Sequence, residues 1–378
     1  MGKTWIKILI LVFFAACFTL VLGNLKRIIS TTAPDFTVLW IGAKDLLAGS
    51  NPYTDASIYT PNAYPPISEV FYLPLGILPY TKALAMFTFL SFASIVGSVV
   101  LSLKLVLKKV PWYYFLLFLG ASLMSFPTKF SLGMGQINPI VLFLLLLAVF
   151  LETKNKSIPA GIILGASIAL KPIFVFFLLF FALKKSWKLI FASISTVALL
   201  TISTLIFWPI QNWFSWYATA IMPLANFAGR ETYLNQGVVS FISRFIGSID
   251  VRIYLNLAAT ILLIALTIYF AAREKRQNLV LSLFIIVLLL FDTTSWQHHF
   301  VWLIFPFITL SGYIFKSKNA ILMVLLTLSY LLVSWNFKNP QAFPLILVSN
   351  QFYGTLILLG ITLFLYHDTY YRRLRLHR

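Results

Sequence analysis

Charged residues are scarce in this sequence of 378 residues, where they make up 10% of the composition. Soluble domains carry about 25% charged residues, so this scarcity excludes an ordinary water-soluble globular protein. Hydrophobic residues instead reach 60%. That balance is typical of a polytopic membrane protein, and it predicts an all-α fold of transmembrane helices.

Cysteine is nearly absent, since Cys17 is the single one. This excludes an intrachain disulfide, and without an HExxH motif the sequence gives little support to a metal site. Cys17 lies in an apolar run, "ILILVFFAACFTLVLG", that follows Lys3 and Lys7. The run continues to Gly23, which is too long for the apolar region of a signal peptide. We therefore predict an uncleaved first transmembrane helix, with lipoprotein-type cleavage at "FFAAC" as the alternative.

Acidic residues are also few, with 10 against 29 lysines and arginines and a formal net charge of +19. Nucleic-acid binding would concentrate the basic residues in a stripe or patch. Here they fall in short clusters between apolar runs, as the positive-inside bias of membrane proteins produces. The sequence therefore predicts contact with membrane lipids and no nucleic-acid partner.

Apolar runs long enough to approach the roughly 20 residues of a membrane span divide the chain into helices. The predicted segments lie near 6–23, 83–103, 111–127, 137–151, 189–208, 253–272, 279–296, 299–315, 319–335 and 350–366. One further run, 158–183, contains Lys171 and Pro172 in its middle. A single helix there would bury the lysine in lipid and break its hydrogen-bond ladder at the proline, so we predict a broken-helix hairpin of two short arms.

The hairpin brings the count to about twelve segments and places most basic residues on one side. By the positive-inside bias, that side and both termini are cytoplasmic. Two long segments, 24–82 and 209–252, then lie outside, and loops of such length are usually functional. The chain reads as a single integral-membrane domain over 1–378, with short amphipathic helices in its outer loops and its chemistry on the outer face.

The stretch "DFTVLWIGAKDLLAG" begins the most informative outer segment. Its spacing predicts a short amphipathic helix from Asp35 to a stop at Gly49, with Pro34 at its start. An acid in the first turn favours the helix dipole, so Asp35 is either a structural helix-start residue or a functional carboxylate.

Other polar residues interrupt apolar surroundings. Lys171 is the sharpest case, because an ionisable side chain at a break within lipid is functional by default, and we favour phosphate binding. Glu69 in "YPPISEVFYLP" is expected to be an exposed loop acid rather than a catalytic one. Gln136 and Asn138 in "SLGMGQINP" form either a plain turn or a hydrogen-bonding lip. His298 and His299 in "TSWQHHFVWLIFP" either anchor an interface beside tryptophan or bind a phosphate.

Taken together, these stretches resemble glycosyltransferase family 87, integral-membrane polyprenyl-phosphate-mannose-dependent α-mannosyltransferases of the GT-C superfamily. The resemblance is carried by the following stretches in the family's order: "DFTVLWIGAKDLLAGSNPY" (35–53), "YPP" (64–66), "GQINPIVLFLLLLA" (135–148), "AGIILGASIALKP" (160–172), "NQGVVSFISR" (235–244) and "SWQHHFVWLIFP" (295–306).

The resemblance implies a GT-C type helical bundle that moves a hexose, expected to be mannose, from a polyprenyl-phosphate donor to a lipid or glycan acceptor. It implies that Asp35 is the general base of an inverting displacement. It further implies that Lys171, His298 and His299 contact the donor phosphate. The remaining residues expected to bind substrate are Tyr64, Glu69, Gln136, Asn138, Asn235 and Gln236.

No cofactor is expected beyond the lipid-linked phosphosugar itself, and no metal is required if Lys171 and a histidine neutralise the leaving phosphate. The main alternative is a carrier or flippase for lipid-linked sugars. A carrier would place polar groups near the bilayer midplane and would commonly have paired halves. The one-sided distribution of polar loops favours the enzyme over the carrier, and a non-catalytic scaffold would leave Lys171 and the histidines unexplained.

Overall fold

The computed structural model describes residues 2–54, 63–222 and 230–376. Within those ranges the secondary structure is helical, and β-structure is limited to an isolated antiparallel bridge between Asn235 and Trp296. The architecture is therefore the all-α polytopic helical bundle that the composition predicts.

The α-helices of the described residues are, in chain order, α1 (Gly2–Ile29), α2 (Pro34–Leu47), α3 (Pro66–Glu69), α4 (Leu73–Gly76), α5 (Tyr80–Val106), α6 (Trp112–Met124), α7 (Phe126–Met134), α8 (Asn138–Glu152), α9 (Ser157–Leu170), α10 (Phe176–Leu183), α11 (Trp187–Phe207), α12 (Gln211–Trp216), α13 (Val238–Phe245), α14 (Ile249–Arg273), α15 (Gln277–Phe291), α16 (Ile304–Ser317), α17 (Ala320–Ser334) and α18 (Asn350–Leu376). Short 3₁₀ turns lie at Pro172–Val175, Gln297–Leu303, Pro340–Ala342 and Leu347–Ser349, and a π turn lies at Tyr217–Ile221.

The helices make the protein a multi-pass membrane protein. Six segments of the described chain are long and apolar enough to cross a membrane, namely Thr4–Ile29, Tyr80–Val106, Trp187–Phe207, Ile249–Arg273, Gln297–Ser317 and Leu347–His367. A seventh span results if α6 and α7, which are bent by 62°, count as one. The other apolar helices have 10–17 residues. At about 1.5 Å per residue they fall short of a hydrocarbon core of about 30 Å, so the predicted count of twelve is not confirmed.

The predicted break in the run 158–183 is confirmed, whereas the hairpin arrangement of its two arms stays a prediction. Helix α9 ends at Leu170, and Lys171 has an extended backbone with φ −143° and ψ 93°. Pro172 then begins a 3₁₀ turn, from which α10 continues. Because proline lacks an N–H group, it cannot extend the helical ladder of α9.

The described chain divides into two compact units. One, here called the Asp35 unit, comprises Ala15–Leu101 and Lys129–Ala228. The other, here called the histidine unit, comprises Met1–Phe14, Ser102–Thr128 and Gly229–Arg378.

In the Asp35 unit, α9 packs closely on α8 and α11. Small residues permit this approach: a Cβ added at Gly161 would lie 2.5 Å from the Cβ of Ala192, and one at Gly165 would lie 2.6 Å from the Cβ of Thr196. Small residues at such positions are how helices in membranes gain van der Waals contact. This packing places the end of α9, and with it Lys171, in a defined position.

The predicted outer segment 24–82 is largely helical, and its residues 55–62 lie outside the described ranges. The amphipathic helix expected from Asp35 to Gly49 is observed as α2, with Pro34 in its first turn. Gly49 follows with φ 76°, a left-handed conformation that favours glycine and ends the helix. The second predicted segment, 209–252, holds α12, the π turn and α13, and residues 223–229 lie outside the described ranges.

In the histidine unit, α15 forms the core. Every residue from Leu279 to Leu290 is buried. Its neighbours are α14, α16 and α18. A helix that is apolar and buried on all sides is typical of the centre of a membrane bundle.

The orientation of the bundle is testable by cysteine labelling. We expect Ser50→Cys, at an exposed site just beyond α2, to react with a membrane-impermeant maleimide in intact cells. Lys156→Cys is the matched control and should react only after permeabilisation, because its loop carries a basic cluster. Both variants are made in a Cys17→Ser background, since Cys17 is the single cysteine. The reverse pattern of labelling would contradict an outer position for the segment 24–82.

Candidate active site

The first candidate residue, Asp35, occupies the first turn of α2 directly after Pro34. Two contacts attach this end of α2 to the start of α5. The backbone N–H of Ala33 donates to the Tyr80 hydroxyl at 2.9 Å, and the Thr37 hydroxyl lies 2.8 Å from the same oxygen. These contacts fix the helix end that carries Asp35, and the carboxylate itself is half-buried.

A tight turn after α7 brings a second polar residue to Asp35. Gly135 has φ 68° and lies against α2, where a Cβ would overlap the Cβ of Phe36 and come within 3.1 Å of the Cβ of Ala33. Only glycine satisfies both the left-handed backbone and the close approach. The next residue, Gln136, donates from Nε2 to the Oδ2 atom of Asp35.

Two further side chains hold the amide of Gln136. The Tyr64 hydroxyl donates to Gln136 Oε1 at 3.1 Å, and Asn138 Nδ2 lies 3.5 Å from the same oxygen. Asn138 is fully buried at the start of α8. The predicted residues Tyr64, Gln136 and Asn138 therefore form one hydrogen-bonded group that ends on Asp35.

Lys171 joins this group from the break after α9. Its Nζ lies 5.8 Å from the centre of the Tyr64 ring, and its positive charge acts on Asp35. Near the break, a backbone carbonyl at the end of α9 gains a partner from α3: the Ser68 hydroxyl donates to the carbonyl of Ala169 at 2.6 Å. The half-buried ammonium thus lies near an aromatic face, and its charge favours the ionised form of Asp35.

One effect dominates the pKa of Asp35, namely its burial. Burial raises the pKa of the Asp35 carboxyl above its ordinary value. The hydrogen bond from Gln136 and the charge of Lys171 lower that pKa, but they do not cancel the effect of burial. A carboxylate with a raised pKa is a stronger base than one in water, provided that it is ionised.

Glu69 is completely buried, so the expectation of an exposed loop acid is wrong. Short α3 turns it inward, toward a set of tyrosines. Burial raises the pKa of Tyr53, Tyr64 and Tyr72, and the charge of Glu69 raises each of them further. These three hydroxyls therefore stay protonated, and those of Tyr53 and Tyr64 donate hydrogen bonds. Tyr53 uses its hydroxyl to bind the carbonyl of Tyr64 at 3.0 Å.

The remaining predicted residues lie in the histidine unit. The segment before α13 pairs with the segment before the histidines through the bridge between Asn235 and Trp296. Two backbone hydrogen bonds of 2.8 Å flank it, from Gln236 N to Ser295 O and from Gln297 N to Leu234 O. The side chains of Asn235 and Gln236 also bind the main chain, at Thr293 O (2.9 Å) and at Tyr233 O and Val348 O (2.6 and 2.7 Å). Their predicted contact with substrate stays a prediction.

The two histidines are buried on the 3₁₀ turn Gln297–Leu303. The ring of His299 stacks on Trp302 with centres 5.0 Å apart and an interplanar angle of 8°, and the rings of His298 and His299 lie 4.8 Å apart. His299 Nδ1 lies 3.5 Å from Asp292 Oδ2. Trp302 and Asp292 therefore restrict the orientation of the His299 ring. The implied contact of the pair with a phosphate stays a prediction.

Asp292 was not anticipated as a site residue. It follows α15, where its Oδ1 accepts from the backbone N–H and hydroxyl of Thr294 at 3.1 and 3.3 Å. A carboxylate at the end of an apolar run and seven residues before His299 was the signal available in the sequence. Arg230 was missed as well; it donates to Thr293 O at 3.1 Å, burial lowers its pKa, and the charge of Asp292 opposes that effect.

Arg244 was also missed, although it closes the stretch "NQGVVSFISR". Its guanidinium donates to the carbonyls of Glu231, Thr232 and Asn235 at 3.2, 2.9 and 2.7 Å, and to the hydroxyl of Ser349. Burial lowers the pKa of Arg244 to about 10, so the side chain remains charged at neutral pH. Arg244 holds the segment that carries Asn235 and Gln236.

Among the described residues, the predicted site residues belong to two sets, one in each unit. In the described part of the chain, His, Cys, Asp and Glu form no group of three or more that could hold a metal ion. Metal independence stays a prediction.

Comparison with known proteins shows similarity to one glycosyltransferase family and to two mycobacterial enzymes. The sequence model of glycosyltransferase family 87 matches residues 62–294. A protein of Mycobacterium tuberculosis (strain ATCC 25618 / H37Rv), named polyprenol-phosphate-mannose-dependent alpha-(1-2)-phosphatidylinositol mannoside mannosyltransferase, is 24% identical over 318 residues, which cover 78% of this chain and 73% of the relative. A protein of the same name from Mycolicibacterium smegmatis (strain ATCC 700084 / mc(2)155) is 23% identical over 331 residues, covering 78% and 72%. The matched range includes Tyr64, Gln136 and Lys171, whereas Asp35 and the histidines lie outside it.

The geometry around Gly135 predicts a stability effect. Gly135→Ala should destabilise the protein by about 2 kcal/mol or more, because it combines a left-handed backbone with steric overlap on α2. Gly133→Ala is the matched control: it lies in α7, no heavy atom lies within 4 Å of the added Cβ, and it should be neutral or slightly stabilising. Thermal unfolding in detergent measures both. Equal unfolding midpoints for the two variants would contradict the close approach of Gly135 to α2.

Proposed function

The chain belongs to glycosyltransferase family 87, and from this membership we propose that it transfers mannose from a polyprenyl-phosphate-mannose donor to a lipid or glycan acceptor on the outer face of the membrane. The names of both relatives support mannose and the lipid-linked donor. They also support a glycolipid acceptor, since both relatives are named for phosphatidylinositol mannoside. Membership in a glycosyltransferase family favours this enzyme over a carrier of the same lipid-linked sugar.

The arrangement around Asp35 is the observation that carries the proposed mechanism. A half-buried carboxylate at a helix start, held through Gln136 and influenced by the charge of Lys171, is suited to act as a general base. In the proposed step Asp35 takes the proton of the acceptor hydroxyl. The hydroxyl oxygen then attacks the anomeric carbon from the face opposite the phosphate. A single displacement of this kind inverts the anomeric configuration.

The leaving group in this step is the polyprenyl phosphate. It gains one negative charge as its bond to the anomeric carbon breaks, so a nearby cation stabilises the transition state. Lys171 is proposed for this role, because a half-buried ammonium beside Tyr64 is better placed to bind an anion than to face lipid. The proposal requires no metal, since the lysine supplies the positive charge.

The outer location of the reaction is supported by the distribution of charge. Most of the 29 basic residues fall in the loops assigned to the cytoplasm, whereas α2 and α3 belong to the opposite segment 24–82.

Asp35→Asn tests the base directly. The amide keeps the size of the carboxylate but cannot accept a proton, so turnover should fall roughly 100- to 10,000-fold while donor binding survives. The assay measures radiolabelled sugar transferred from polyprenyl-phosphate-mannose by the reconstituted protein, and Asp45→Asn on the same helix is the matched control. A folded Asp35→Asn protein with turnover within a few-fold of the parent would leave Asp35 structural, since asparagine also serves well at a helix start.

Lys171→Met tests the phosphate contact. Losing a charge-assisted interaction should weaken equilibrium binding of the labelled donor roughly 10- to 100-fold. Lys171→Arg should be intermediate, because a planar fork cannot reproduce the geometry of a point charge. Lys82→Met, at an exposed lysine at the start of α5, is the control for loss of charge alone. Unchanged donor affinity in Lys171→Met would refute the phosphate role.

A further inference from the structure

A glutamine amide has one donor end and one acceptor end, and the surroundings of Gln136 decide which end faces Asp35. Its Oε1 receives the Tyr64 hydroxyl at 3.1 Å and faces Asn138 Nδ2 at 3.5 Å. With donors gathered at the oxygen, the Nε2 end is turned to Asp35 Oδ2. An ionised carboxylate accepts hydrogen bonds only, so the reverse orientation would set two acceptors against each other.

The surroundings also distinguish the two oxygens of Asp35. Oδ2 is engaged by Gln136. Oδ1 accepts no hydrogen bond from any of the described residues, 2–54, 63–222 and 230–376. Among the described residues, the titratable groups that act on this carboxylate are Lys171, from the break after α9, and Tyr64, from the segment before α3. Neither supplies a hydrogen bond to Oδ1.

We infer that Gln136 is a positioning residue that occupies Oδ2 of Asp35 and thereby reserves Oδ1 for the acceptor hydroxyl, while Tyr64 and Asn138 fix the orientation of its amide. This inference rests on the proposed role of Asp35 as the base. It assigns Gln136, Tyr64 and Asn138 to the support of the carboxylate, and it removes them from direct contact with the donor.

The proposed step is balanced at named atoms. The O–H bond of the acceptor breaks and its proton moves to Oδ1 of Asp35. The hydroxyl oxygen forms a bond to the anomeric carbon of the donor, and the bond from that carbon to the phosphate oxygen breaks, with its electron pair leaving on the phosphate. Asp35 ends neutral and the polyprenyl phosphate ends with one more negative charge.

The inference predicts how activity depends on pH. The hydrogen bond from Gln136 stabilises the ionised form of Asp35 and so lowers its pKa. Removing that bond raises the pKa of Asp35, which leaves less of the base ionised at acidic pH. In a plot of kcat/KM against pH, the acidic limb is the part where kcat/KM rises as Asp35 ionises. This limb should therefore move to higher pH in Gln136→Met, with kcat/KM at a given pH on it lowered roughly tenfold.

Three variants and a control form the experiment, in which kcat/KM is measured from acidic to neutral pH beside equilibrium binding of polyprenyl-phosphate-mannose. Gln136→Glu should move the limb further than Gln136→Met, because a second carboxylate facing Asp35 disfavours its ionised form. Tyr64→Phe should move it less and in the same direction, because the amide loses one of the donors that orient it. Tyr72→Phe is the matched control: its buried hydroxyl has no hydrogen-bond partner in the described part of the chain, and the limb should stay in place.

Donor affinity separates this inference from a substrate-binding role. Unchanged donor affinity with a displaced acidic limb supports positioning. Weakened donor binding with an unmoved limb would overturn it and return these residues to the donor. A folded Tyr64→Phe protein provides the same decision if Gln136→Met fails to fold. Near-parental turnover in Asp35→Asn would instead contradict the proposed function, because Asp35 would then not be the base. An inactive Asp35→Asn protein, together with an unchanged acidic limb in the Gln136 and Tyr64 variants, would overturn only the positioning role of Gln136.

Discussion

A helix that ends inside a packed helical bundle leaves backbone carbonyl groups without intrahelical partners, and this constraint governs the break at Lys171. Helix α9 ends because Pro172 cannot continue its ladder, which leaves carbonyl groups to be satisfied from elsewhere in the chain. The Ser68 hydroxyl of α3 binds the carbonyl of Ala169. A distant segment is thus drawn to the break, and with it come Tyr64 and Glu69.

The carboxylate of Asp35 lies among groups brought by three separate segments. Gln136 arrives through the left-handed turn at Gly135, Tyr64 arrives with the segment before α3, and Lys171 arrives at the end of α9. Burial makes the carboxyl more basic, and the amide and ammonium keep part of its ionised form available. The same packing that stabilises the polar break therefore provides the chemistry proposed for the site.

In the histidine unit, a buried side chain likewise provides hydrogen bonds to backbone carbonyl groups. Arg244 supplies several donors to one short stretch of main chain, and the bridge at Asn235 and Trp296 connects that stretch to the histidine turn. Asp292 and Trp302 then restrict the ring of His299. A charged side chain that donates to several backbone carbonyls holds the segment that carries them, which a site built from loops otherwise lacks.

The sequence by itself determined the features that depend on local chemistry: the all-α class, the start of α2 at Pro34 and its stop before Gly49, and the break at Lys171. Proline and glycine restrict or free the backbone at their own position, and an apolar run favours a membrane helix by its own length and composition. These signals therefore need no contact with residues distant in the chain. Only the tertiary structure decided that Glu69 is buried, that Asp292 faces His299, and that Gln136 binds Asp35. It also left the predicted number of spans unconfirmed. Contacts between residues far apart in the chain depend on how helices pack, and neither periodicity nor composition specifies that packing.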